Sequence, residues 1–122
     1  MAELPACPSC RARLEQDHSG VVCREGHRYT ELGLALATNI AAVNALWRAI
    51  RALEDDAAGL EWLTGRAAVD APRALAQRRE AREARQAAAS LRAYAEQAQQ
   101  RLDALPVALR AAGDEGRPRP QE

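Results

Sequence analysis

The strongest constraint on this chain lies in its first 27 residues, where Cys7, Cys10, Cys23 and His27 stand in the order C-x2-C-x12-C-x3-H. Any closed set of disulfides would leave one of the three thiols over. Three thiolates and an imidazole are instead the soft donors of a tetrahedral zinc site. The two-residue spacer of Cys7-Pro8-Ser9-Cys10 turns the chain back so that both sulfurs face one ion, with Pro8 presetting φ. Gly26 supplies the positive φ expected ahead of His27 in the second knuckle. Asp17-His18-Ser19-Gly20 is a turn signal between residues 11–15 and Val21-Val22, so the knuckles are bridged by a short β-hairpin. Two knuckles and a hairpin make a zinc ribbon over residues 1–30, and the metal replaces the core that so short a unit cannot build. Four protein donors leave no open position for water, so one structural zinc per chain is expected. His18 belongs to the turn and reads as a solvated loop residue; a redox Cys-x-x-Cys would need a βαβ setting that Cys7 lacks.

From Thr30 onward the apolar residues adopt helical spacing: Leu36, Ile40, Val43, Trp47 and Ile50, widened by Leu46 and Leu53, then Ala57 and Leu60. Ala, Leu, Arg, Glu and Gln dominate, and about half of the 48% hydrophobic residues are alanine, which favours helices over a β-sandwich core. Thr30 caps a first helix at 31–64, weakened at Gly59 and ended near Gly65, with Trp62 and Leu63 still packing. Asp70-Ala71-Pro72 caps a second helix at 71–105. On it Ala84, Ala88, Leu91, Ala95, Ala98, Leu102 and Leu105 form a heptad seam whose alanines admit close approach, and Pro106 ends the helix. Residues 107–122, rich in Gly, Pro and charge, read as a flexible tail. The fold class expected is mainly α: an N-terminal β-hairpin ribbon, then a long antiparallel helical hairpin over 31–106.

Charge supports the hairpin. Residues 53–70 hold Glu54, Asp55, Asp56, Glu61 and Asp70 against Arg66, whereas residues 71–92 hold six arginines (73, 78, 79, 82, 85 and 92) against Glu80 and Glu83. Folding back lays the acidic segment on the basic one, and such exposed pairs choose register more than they stabilise. The total of 17 basic and 17 acidic residues gives no global pull toward nucleic acid or anionic lipid. A nucleic-acid-binding ribbon using Arg73 to Arg92 is the alternative, but the run is interleaved with glutamate and lacks aromatic neighbours for base stacking. Trp47 and Trp62 read as core, and Tyr29 and Tyr94 as packed with their hydroxyls at the surface. No nucleophile elbow, phosphate loop or dinucleotide fingerprint is present, so no enzyme is expected. There is no run of about 18 apolar residues and no secretory leader, so no membrane span and a cytoplasmic protein are expected.

The succession CPSC, CREGHRYT, ALWRAIRALED and an Ala/Arg/Glu/Gln-rich second helix resembles the zinc-ribbon and helical-hairpin region found C-terminal to the catalytic domain in some bacterial CheB-type chemotaxis protein-glutamate methylesterases. The likeness covers residues 6–105, and Cys23, Gly26, His27 and Tyr29 match the family's second knuckle. The first knuckle departs from the family's usual form, in which a glycine follows the second cysteine; Arg11 stands there. The resemblance implies an accessory module of a chemosensory signalling system without methylesterase activity, because the esterase domain with its Ser, His and Asp is absent from this chain. Its expected partner is a protein, either a separate methylesterase or a chemoreceptor complex. A homodimer through the Ala84–Leu105 seam is the other association expected.

Overall fold

The computed structural model describes residues 3–66 and 70–106, and the fold is mainly helical: a small antiparallel sheet followed by two long helices. Strand β1 (Leu14–Asp17) pairs with β2 (Gly20–Cys23), and β2 with β3 (Arg28–Tyr29), in the order β1-β2-β3. The register sets Leu14 opposite Cys23, Asp17 opposite Gly20 and Val21 opposite Tyr29. The expected hairpin is present. The third strand was not foreseen, because two residues are too few to display a period of two.

The turn of the hairpin is held by side chains. Asp17 accepts from the Ser19 backbone N–H at 2.8 Å and from its hydroxyl at 2.9 Å, while Arg28 donates to Asp17 at 2.9 Å and ties β3 to the turn. The Ser19 bonds first, then Arg28, hold the Asp17 carboxyl at about 2. Gly20 sits at φ +144°, and a Cβ there would lie 2.4 Å from the Tyr29 carbonyl oxygen, so the close approach of β2 to the end of β3 demands glycine.

Helix α1 (Glu31–Thr64) starts where Thr30 caps it, the hydroxyl accepting from Gly33 N–H at 3.0 Å. Helix α2 (Ala71–Asp103) starts in the same way, Asp70 accepting from Arg73 N–H at 2.8 Å with Pro72 in the first turn. It ends two residues before the boundary read from the sequence, with Leu105 N–H turning back to Leu102 in a tight final turn. The break expected at 65–70 lies partly, and the tail at 107–122 wholly, outside the described residues.

The chain divides into two compact units, Met1–Val43 with Gln99–Glu122, and Asn44–Ala98. In the first, Cys7, Leu14, Val21, Cys23 and Tyr29 are buried together with Leu34 and Ala37 from the start of α1. This corrects the stripe read from sequence: its first positions, Leu36 and Ile40, are only partly buried, because the sheet and not another helix covers Leu34 and Ala37. In the second unit the helices run antiparallel. Ile50 of α1 is fully buried with Ala88 and Ala95 of α2, and Ala57 with Ala81 and Ala84. Alanine at these positions lets the backbones approach, and Ile50 alone contributes roughly 2 to 3 kcal/mol of apolar burial. The α2 seam expected to meet another copy is therefore covered, over Ala84, Ala88 and Ala95, by the chain's own α1.

The opposed charges meet as the sequence implied. Arg85 grips Glu61 with two bonds, at 2.6 and 2.8 Å, and Arg92 pairs with Glu54. Three aromatic expectations fail, at Trp62, at Tyr94 and at Tyr29, whose hydroxyl is buried against Cys7 and Ser9 instead of reaching the surface. Trp62 is 61% exposed with the Arg66 guanidinium 4.8 Å from its ring, and Leu63 is exposed too, because the inward positions near this end of α1 are Ala57 and Leu60. Trp47 does pack partly against the Ile50 cluster, with Arg92 over its ring. Tyr94 is exposed as a whole and not only at its hydroxyl. Over 18 residues α1 reaches a mean hydropathy of 1.2, long and apolar enough by composition to cross a membrane; alanines raise that average where a search for uninterrupted apolar runs finds none.

Candidate metal centre

The two knuckles are built by the same device at two lengths. Cys7 N–H donates to the Ala12 carbonyl at 2.9 Å while the Cys7 carbonyl accepts from Arg11 N–H at 2.8 Å. Likewise Cys23 N–H donates to the His27 carbonyl at 3.0 Å and the Cys23 carbonyl accepts from Gly26 N–H at 3.0 Å, a loop one residue shorter. Each loop needs one left-handed residue. Gly26 provides it at φ +90°, as expected, and in the first knuckle Arg11 is driven to φ +67°.

These loops bring all four sequence-predicted donors together. Their ligand atoms lie within 4.8 Å of one another, with Cys10 Sγ 3.7 Å from Cys23 Sγ and Cys23 Sγ 3.3 Å from His27 Nδ1. A tetrahedral ion with metal–sulfur bonds of about 2.3 Å requires sulfur–sulfur edges of about 3.8 Å, and the Cys10–Cys23 edge has that length. The cluster can hold a metal ion. Cys7 and Cys23 are buried, Cys10 and His27 partly so, and His18 stays exposed in its turn away from them.

Tyr29 is the residue whose role the sequence reading missed. It is 1% exposed, and its hydroxyl lies 2.7 Å from Ser9 Oγ and 3.5 Å from Cys7 Sγ. The Ser9 hydroxyl can donate to Tyr29, leaving the phenol proton for the Cys7 sulfur. Burial opposes the Cys7 thiolate, but the Tyr29 bond and the backbone N–H groups of Cys10 and Ser9 outweigh it and bring the thiol down to about 6. At Cys10 a backbone bond from Ala12 lowers the value, and burial with the neighbouring sulfurs of Cys7 and Cys23 raises it further, so the net direction is up. Tyr29 itself is pushed up to about 12 by burial and by the Cys7 sulfur, and so keeps its proton for donation. The two residues of β3 divide their roles, Tyr29 turning inward to the cluster and Arg28 outward to Asp17, and a strand so short left no periodic signal of this in the sequence.

No family model, curated protein or solved structure matches this chain. The site is defined by its own geometry: a three-cysteine, one-histidine cluster on a three-stranded ribbon.

Proposed function

We propose that this chain is a non-catalytic protein-interaction module whose ribbon is held by one structural zinc ion, and that it serves a bacterial chemosensory system of the methylesterase type. The observation that carries the zinc reading is the donor set of Cys7, Cys10, Cys23 and His27, with its 3.7 Å sulfur–sulfur and 3.3 Å sulfur–nitrogen edges. Three thiolates and an imidazole favour zinc over the hard cations, and four protein ligands fill a tetrahedral shell, which makes the ion structural. The ion supplies folding energy to the ribbon, and the protein keeps it in place through the knuckle N–H groups and the Tyr29 hydroxyl.

The chemosensory assignment rests on the resemblance of CPSC, CREGHRYT and ALWRAIRALED to the accessory region of CheB-type methylesterases. A separate methylesterase or a receptor complex is the partner this reading requires. The alternative, nucleic-acid binding through Arg73 to Arg92, is weakened by ion pairing: Arg85 and Arg92 already hold Glu61 and Glu54.

Metal analysis of protein purified under reducing conditions tests the first part: one zinc per chain is expected, lost in Cys23→Ser, and a metal-free wild type overturns it. For the second, the immobilised metal-loaded chain should retain a purified CheB-type methylesterase or its receptor complex and should show no salt-sensitive binding to duplex or single-stranded oligonucleotides. Retention of neither protein, with salt-sensitive capture of nucleic acid, replaces the proposal by the alternative.

A further inference from the structure

We propose that α1 carries a second seam, distinct from the one that packs on α2, and that a second copy of this chain docks on it. Leu32, Asn39, Leu46 and Leu53 recur every seven residues, and Ala35, Ala42 and Ala49 recur every seven residues three places later. Together they form an a/d row of three heptads on one helix. The row that packs within the chain is a different one: Val43, Ile50 and Ala57 are buried, whereas Leu32 is 54% exposed and Ala35, Asn39, Ala42 and Ala49 all face solvent. Leu46 and Leu53 lie at the shared border, partly buried against the in-chain clusters.

The face is also without charge. Residues 32–47 contain no ionisable side chain, and the flanking row of Thr38, Ala45 and Ala52 is neutral as well; Arg48 and Arg51 fall on the opposite side of the heptad frame. The 18-residue window of mean hydropathy 1.2 is only 28% buried. An exposed helix face usually carries charge, as α2 does throughout its length with Arg78, Arg79, Glu83, Glu96 and Arg101. A neutral face offers nothing to a partner selected by charge. It complements an equally neutral face, and its own duplicate across a two-fold axis brings no like charges together.

Asn39 selects the occupant. It takes the second of the row's four positions, between Leu32 and Leu46, where an apolar partner or lipid would leave the amide's donor and acceptor unpaired. In a parallel pairing each Asn39 meets the Asn39 of the second copy, amide to amide, and both are satisfied; a single such asparagine fixes register and two-strandedness. The alanines at every seventh position let the two α1 backbones approach. The row stops at Asp56, where a carboxylate takes the next position.

Sedimentation equilibrium of the metal-loaded full chain tests the docking. The expected mass at tens of micromolar is twice the 13.2 kDa of the chain. Ala42→Glu and, independently, Leu32→Glu should weaken association at least 100-fold with helicity and metal content unchanged, since both positions are exposed in the single chain. Ala89→Glu, on an exposed position of α2, should leave the dimer intact. A monomer at 200 µM overturns the proposal, as does a dimer indifferent to both α1 substitutions, or a monomer that binds neutral lipid vesicles through α1. A failure of the zinc reading would show as absent metal, and a failure here as the wrong mass.

Discussion

At the scale of single residues, the first knuckle carries a conformational penalty that the second avoids. Arg11 is the one non-glycine residue at positive φ among those described, and the left-handed region costs an L side chain roughly 1 to 2 kcal/mol. Arg11→Gly should therefore stabilise the metal-loaded ribbon by about 1 kcal/mol, after glycine's larger unfolded-state entropy is subtracted. A rise in thermal midpoint at unchanged metal stoichiometry is the expected reading. Tyr29 works through hydrogen bonding: its phenol reaches the Cys7 sulfur and Ser9. Tyr29→Phe keeps the buried ring and deletes that donor, so metal affinity should fall on the order of 10-fold with helicity unchanged, as measured by competition with a chromophoric chelator. The four donors were legible because ligand type and spacing are covalent properties. Tyr29's role was not, because its hydroxyl finds Ser9 and Cys7 only when β3 closes onto β2, and nothing within residues 27–30 names those partners.

At the scale of elements, α1 and α2 were legible almost to the residue. Thr30 and Asp70 announce their starts, and each cap bond joins residues three apart, which is information within one segment. The phase of burial was less legible, since Leu34 and Ala37 face the sheet and Trp62 lies off the inward face. The acid-on-base pairing of the two helices yields a pH prediction. Hydrogen bonds from Arg85 hold the Glu61 carboxyl below its usual range. A carboxylate so lowered stabilises the fold at pH above its unfolded value, and the contribution disappears as pH falls through its folded value. Glu61→Gln should melt slightly below wild type at pH 7, and the two melting curves should converge as pH drops below the ordinary glutamate range near about 4. The pair is solvent-exposed, so the gap is small and should narrow further in high salt. A gap that persists at low pH would show that Glu61 acts by packing instead.

At the scale of the whole molecule, the two units draw on different sources of stability. The ribbon has one core of a few side chains gathered around its cysteines, so the proposed ion would supply much of its folding energy, whereas Asn44–Ala98 has its own clusters about Ile50 and Ala57. Removing the metal with a strong chelator should melt the sheet and fray the first turns of α1, where Leu34 and Ala37 lose the surface they pack on. Amide exchange should accelerate at residues 14–37 and stay slow around Ile50, Ala88 and Ala95; loss of protection throughout would mean that the ribbon's folding energy extends into the hairpin. The sequence by itself determined the donors and their order, the left-handed requirement ahead of His27, the starts of both helices and the opposed charges of their facing segments. These follow from spacing, capping and periodicity, which act within a few residues of chain. Tertiary structure alone decided that Tyr29 backs Cys7, that the sheet claims Leu34 and Ala37, and that the alanine seam of α2 is consumed by α1. Burial depends on which surface meets which, and residues far apart in the chain settle that only by competing for the same partner.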